Sequence, residues 1–195
     1  MQVTAFWCGV SLFAYVAVPA VLAVDRRPGI PERLVTSGKY HFSVVRPLGW
    51  FVYEGADVPV FFNFLAEDAP PQGQLPPGGA SILLLLCQSR SGHIEVNSIT
   101  TCAQQEAAVN RGISLSMRYI RGPVQASPAL LVSFDQRGLG RIGETRQPSK
   151  HFVAAYWEYR GQPFGAELSY YKTDPKGSHY ERDLLEMVRS FKPTQ

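Results

Sequence analysis

Short apolar runs broken by proline and glycine, rather than long helical stripes, fill most of the chain from Tyr40 onward. His41–Arg46 mixes aromatic and β-branched residues and stops at Pro47-Leu48-Gly49, which predicts a strand closed by a turn. Trp50–Glu54 and Pro59–Leu65 predict two more short strands, the second carrying Val60, Phe61, Phe62 and Phe64. A loop rich in proline and glycine follows from Ala66 to Ala80. Ser81–Cys87 contains an unbroken apolar run, Ile82-Leu83-Leu84-Leu85-Leu86, so both its faces need cover and it belongs in the middle of a sheet. Strands are also predicted at Ile113–Ile120 and Ala129–Asp135. His151–Arg160 and Phe164–Lys172 read as a hairpin around Gly161-Gln162-Pro163.

Helical spacing occurs twice. Over Thr100–Arg111, Ile99, Cys102, Ala103 and Ala107 share one face, Thr101 and Gln104 have the form of a capping box, and Gly112 supplies the stop. Near the end, Ser178-His179-Tyr180-Glu181 has the same capping form, and Tyr180, Leu184, Leu185, Val188 and Phe191 make an apolar stripe that stops before Pro193. Antiparallel strands with one helix in the middle and one at the end predict an α+β fold whose helices cover the sheet.

The first 23 residues differ from the rest. Met1–Ala23 has no charged side chain and ends in Val21-Leu22-Ala23, the small-residue pattern of a signal peptide cleaved after Ala23. Retention as a single N-terminal anchor is the alternative, since about 20 apolar residues can span a bilayer. Residues 24–39, rich in Pro, Gly and Arg up to Ser37, read as a linker, and residues 40–195 as one domain. The chain is thereby expected to be exported, periplasmic or extracellular, with membrane contact only through an uncleaved leader. A net charge of +3 without a basic cluster interleaved with aromatics gives no argument for nucleic acid.

Export also changes the cysteine arithmetic. Cys8 leaves with the leader, and Cys87 and Cys102 remain as a candidate disulfide, with two separately buried thiols as the other reading. Neither cysteine has a histidine at ligand spacing, so no metal is expected. Gly138-Leu139-Gly140-Arg141-Ile142-Gly143 spells a dinucleotide fingerprint, but Glu144-Thr145-Arg146-Gln147-Pro148 does not open an apolar helix, and no cofactor is expected. Among the four histidines, His151 is the one placed to join Asp135, Glu158 and Glu167 across adjacent strands as an acid–base pocket. Tyr156, Trp157, Tyr159, Tyr170 and Tyr171 crowd the hairpin, where alternation sends Tyr156 with Glu158 one way and Trp157 with Tyr159 the other.

Two segments carry a family likeness. Tyr40-His41-Phe42-Ser43-Val44-Val45-Arg46-Pro47-Leu48-Gly49-Trp50 and Leu184-Leu185-Glu186-Met187-Val188-Arg189-Ser190-Phe191-Lys192-Pro193 resemble the opening strand and closing helix of PsbP-like, DcrB-type exported domains. The resemblance implies an antiparallel sheet flanked by helices in an α/β/α sandwich, and a non-enzymatic binding or assembly role toward a protein or envelope component. An envelope enzyme or small-ligand binder using a pocket near Asp135, His151 and Glu158 is the alternative.

Overall fold

A computed structural model describes residues 33–53, 58–65, 74–89, 95–124, 127–136, 141–142, 145–146 and 149–195, the two short stretches at 141–146 by backbone alone. The leader, Cys8, His93 and most of the 66–80 and 138–143 loops lie outside these residues.

The hairpin is the middle of the fold. Strands β10 (Lys150–Tyr159) and β11 (Gln162–Tyr171) pair antiparallel from Lys150↔Tyr171 to Tyr159↔Gln162. The expected three-residue connection is shorter: Arg160 and Gly161 alone make the turn, both at positive φ (52° and 74°). A two-residue turn of this kind matches the twist of its strands, which leaves Gln162 and Pro163 to pair. On one side of the hairpin lie β7 (Pro128–Gln136) and then β6 (Gly112–Arg121). On the other lie β5 (Ala80–Leu86), β4 (Val60–Phe62) and β3 (Phe51–Tyr53). The result is a seven-stranded antiparallel sheet, β3-β4-β5-β11-β10-β7-β6.

Strand alternation divides the sheet into two apolar faces. Val153, Ala155 and Trp157 of β10 face one way with Ile82, Leu84, Phe164, Ala166 and Leu168, and α2 (Gly177–Ser190) packs there through Tyr180, Leu184, Met187 and Val188. Phe152, Ala154 and Tyr156 face the other way with Leu130, Val132 and Phe134, and α1 (Ile99–Val109) covers them through Cys102, Ala103 and Ala107. Both aromatic sets of the hairpin are therefore core. Leu83 departs from the expectation that β5 is covered on both faces: it is 37% exposed, on the α1 side.

Cover over the α2 face is mixed, because a second sheet shares it. β1 (Leu34–Ser37), β2 (Phe42–Val45) and β12 (Lys192–Pro193) form a three-stranded sheet in the order β1-β2-β12. β1 lies inside the stretch 24–39 read as a linker; its alternation, with Val35 and Ser37 buried, lets it pair with β2 from Leu34↔Val45 to Ser37↔Phe42. The two segments that carry the family likeness meet here. The Trp50 indole donates to Asp183 Oδ2 (2.8 Å), Val45 N–H to Ser190 Oγ (2.7 Å), and the rings of Phe42 and Phe191 stack at 5.2 Å.

Both helix starts differ from the predicted caps. Ser98, not Thr101, is the N-cap of α1, and Thr101 occupies the third helical position of the box. Its end is marked by Arg111 at φ +52°, while Gly112 already opens β6, where a Cβ would meet the Phe134 ring at 2.7 Å. α2 begins at Gly177 with no side-chain cap. Ser178 falls inside its first turn, Asp174 Oδ1 accepts the Lys176 N–H, and Glu181 is engaged by Tyr170 instead. β8 (Arg141–Ile142) pairs with β9 (Thr145–Arg146), so a strand lies beyond the third glycine of the 138–143 segment where a dinucleotide site needs a helix.

Candidate functional site

Register gathers the charged groups at one end of the sheet. Asp135 of β7, His151 of β10 and Tyr170 of β11 are consecutive cross-strand neighbours on the α2 face. Asp135 accepts from both sides: Oδ1 lies 2.6 Å from His151 Nδ1 and Oδ2 lies 2.6 Å from Lys172 Nζ, just past β11. Burial pushes the Asp135 carboxyl up, but hydrogen bonds from Lys172 and His151, with their charges, outweigh it and hold the group below the ordinary carboxylate range. The Tyr170 ring meets the His151 ring edge-on at 5.4 Å, and its hydroxyl donates to Glu181 Oε1 of α2 at 2.7 Å. Burial first, then Glu181, raise the phenol well above its usual value, so Tyr170 stays neutral as a donor.

Of the four residues expected to share a pocket, Asp135 and His151 are in contact. Glu167 pairs with Ala154 on the α1 face, where it is buried and accepts from Tyr156 Oη at 3.4 Å. Glu158 is exposed, seven residues along β10 from His151, which is about 23 Å at strand rise. Alternation places Asp135 and His151 on one face and Glu167 on the other, so the quartet cannot converge. What remains is a cluster of Asp135, His151, Lys172, Tyr170 and Glu181. Lys172, Tyr170 and Glu181 were missed because only the register of β7, β10 and β11 brings Asp135 and His151 beside Tyr170 and Lys172, and only the packing of α2 brings Glu181 to Tyr170. The cluster fixes the His151 ring against the Asp135 carboxylate, and it ties β7, β10 and the end of β11 together. Among the described residues, no group of three His, Cys, Asp or Glu side chains could hold a metal.

Concave surface lies at the other end of the hairpin. A cleft of about 380 Å³ is lined by Val124, Ser127, Glu158, Tyr159, Arg160, Gly161 and Pro193. A smaller one of about 180 Å³ involves Lys39, Tyr40, His41 and Phe164 and shares Tyr159 and Arg160. Tyr159 Oη donates to the carbonyls of Tyr40 and His41, and Arg160 donates to the Thr194 carbonyl at 3.2 Å. These bonds fasten the tip of the β10–β11 hairpin to the β1–β2 turn and to the C-terminal residues, and the clefts are open to solvent.

Cys87 and Cys102 form the disulfide, with Cα atoms 5.7 Å apart. It fastens the first turn of α1 to the end of β5, in the core of the α1 face.

The remaining feature is an edge. β6 is the outermost strand on its side, ten residues long, and no strand pairs with its outer side among the described residues. Ile113, Leu115 and Tyr119 are 39, 43 and 65% exposed on it. Its register shifts between Ile113 and Ser116, with Ser114 at φ +57°, so Ser116–Arg121 is the regular part.

No protein-family model and no curated protein matches the chain. Solved structures do show a likeness. Cyanobacterial PsbP (CyanoP) from Synechocystis sp. PCC 6803 is 15% identical, with a TM-score of 0.48 over 85% of this chain and 94% of that one. The Ran-binding protein Mog1p of Saccharomyces cerevisiae is 12% identical, with a TM-score of 0.49 over 86% and 97%. LpqN of Mycobacterium tuberculosis, involved in cell envelope biogenesis, is 10% identical, with a TM-score of 0.48 over 83% and 90%. Among the described residues no helix is long and apolar enough to cross a membrane.

Proposed function

We propose that the chain is an exported, non-enzymatic binding or assembly module that engages a protein or envelope component through the outer edge of β6. The observation that carries this reading is the edge itself: a ten-residue outermost strand with Ile113, Leu115 and Tyr119 exposed. Such an edge offers a row of backbone donors and acceptors, which is how extended segments add to sheets. The described part of the Pro/Gly loop is a weaker candidate. Its Gly78 carbonyl accepts from Asn63 and Tyr180, and Leu75 is buried, so those residues are committed internally.

Export rests on the apolar leader at 1–23, cleaved or kept as an anchor, and it accords with the Cys87–Cys102 bridge, since disulfides persist in oxidising compartments. The folded domain follows the leader and a shortened linker, and we read its layers as an α/β/α sandwich in which the small β1-β2-β12 sheet shares the α2 layer. The Asp135–His151 pair supports a second reading, an envelope enzyme or small-ligand binder, which would have to work without Glu158 and Glu167.

The test is a crosslinked pull-down of tagged protein from the native envelope, read by mass spectrometry. The edge reading expects a reproducible partner that disappears with Leu115→Lys/Tyr119→Lys and persists with His151→Ala. A partner lost only with His151→Ala transfers the function to the acid–base cluster.

A further inference from the structure

We propose that the occupant of the β6 edge is an extended strand bearing two acidic residues three positions apart, with apolar residues between them. This deepens the edge reading above and rests on it. The segment Gly112–Arg121 reads Gly-Ile-Ser-Leu-Ser-Met-Arg-Tyr-Ile-Arg and has no acidic residue. Arg118 and Arg121 are both exposed, and among the described residues neither takes part in a salt bridge. Inner-side neighbours give them no counter-charge either, since Arg118 lies opposite Leu131 and Arg121 opposite Pro128.

Alternation then fixes the partner's pattern. Arg118 shares the α2 face with Ile120, which pairs with Ala129, whereas Tyr119 and Arg121 project on the α1 face. A strand laid along the outer side sets one residue opposite each of these four. Acidic residues belong opposite Arg118 and Arg121, and apolar or aromatic ones opposite Tyr119 and Ile120. The resulting pattern, acidic-apolar-apolar-acidic, reads the same in both directions, so it holds for parallel and antiparallel addition. A second copy of the chain supplies no acidic residue from this segment: in a twofold pairing of Ser116–Arg121 with itself, Arg118 would face Tyr119 and Arg121 would face Ser116, so neither arginine gains a counter-charge. The bulge at Ile113–Ser116 confines regular pairing to the six residues Ser116–Arg121, the stretch that carries both arginines.

The probe is a fluorescein-labelled peptide, Thr-Thr-Glu-Val-Tyr-Glu-Thr-Thr, titrated with the purified chain and followed by anisotropy. Controls are the same peptide with both Glu replaced by Lys, and one N-methylated at the consecutive amides of its Glu-Val-Tyr-Glu core, which blocks both of its edges. The Glu peptide is expected to bind about tenfold more tightly than the Lys peptide at low salt, from two exposed charge pairs. The difference should narrow as salt rises. Arg118→Glu/Arg121→Glu should reverse the preference, and N-methylation should abolish binding. Equal binding of the Glu and Lys peptides, undiminished binding of the N-methylated one, or no binding of any would overturn the inference. The edge reading is judged separately in the envelope pull-down. A partner lost with Leu115→Lys/Tyr119→Lys but retained by Arg118→Ala/Arg121→Ala sinks the acidic strand and leaves the edge standing, while a partner indifferent to both pairs sinks both.

Discussion

Reduction of the Cys87–Cys102 bridge should cost a large share of the domain's stability. The bridge closes a loop with a sequence separation of 15. In the chain-entropy account, opening a loop of this size stabilises the unfolded chain by about 3 kcal/mol. The Cα–Cα distance of 5.7 Å lies in the usual range for bridged cysteines. Both residues are buried, at 6 and 0% exposure, so the thiols remain packed after reduction and the loss should be mainly entropic. With an unfolding slope of about 2 kcal/mol per molar urea for a domain of this size, the midpoint should fall by about 1.5 M. The assay compares urea unfolding of the oxidised protein with that of protein reduced and alkylated in urea, then refolded, with Cys87→Ala/Cys102→Ala as a variant free of adducts. Equal midpoints for oxidised protein and double variant would refute the reasoning, whether because no bridge forms or because the unfolded chain is already constrained.

Three other consequences are as direct. Asp183→Ala strands the indole N–H of Trp50, itself 2% exposed, and should lower stability by about 1–3 kcal/mol in thermal melts, with Asp183→Asn restoring most of it through its carbonyl. Because Asp135 is held below its unfolded value near 3.9, its contribution is complete above that pH and is lost as pH falls through the folded value. Asp135→Asn should therefore flatten the acid limb of stability against pH, and an unchanged limb would show that the Lys172 and His151 contacts do not operate in solution. Gly161→Val forces a β-branched residue to φ 74° in the β10–β11 turn and should destabilise by about 1–2 kcal/mol or more, readable as a shift in urea midpoint.

Much of the strand plan was legible because period-2 alternation and turn residues are local signals. The Val153–Trp157 and Phe152–Tyr156 sets fall on opposite faces as the hairpin's alternation requires. The cysteine pairing was legible as well, since Cys102 lies on the inward face of a helix expected over the sheet. β1 and β12 were not legible. Four residues after a Pro/Gly/Arg-rich stretch and a dipeptide ending in proline become strands only because each finds β2 as a partner. The caps were misplaced for a related reason. Ser178 and Glu181 have the right spacing, but Tyr170 from a neighbouring strand takes the Glu181 carboxylate. The candidate pocket failed at the level of register. Strand rise alone separates Glu158 from His151 within β10, whereas the pairing of β7 with β10 and β10 with β11 decides that Asp135 meets His151 and Glu167 does not.

A contact edge at β6 has to meet its partner in the native envelope. The most direct test places a photocrosslinking amino acid at Tyr119, with Leu48 as the control position, and irradiates the protein in its native envelope. Leu48 is as exposed as Tyr119 (71 against 65%) but lies in the turn between β2 and β3. A contact edge gives a discrete adduct from Tyr119 and none from Leu48. Adducts of equal yield at both positions, or at Leu48 alone, would contradict it.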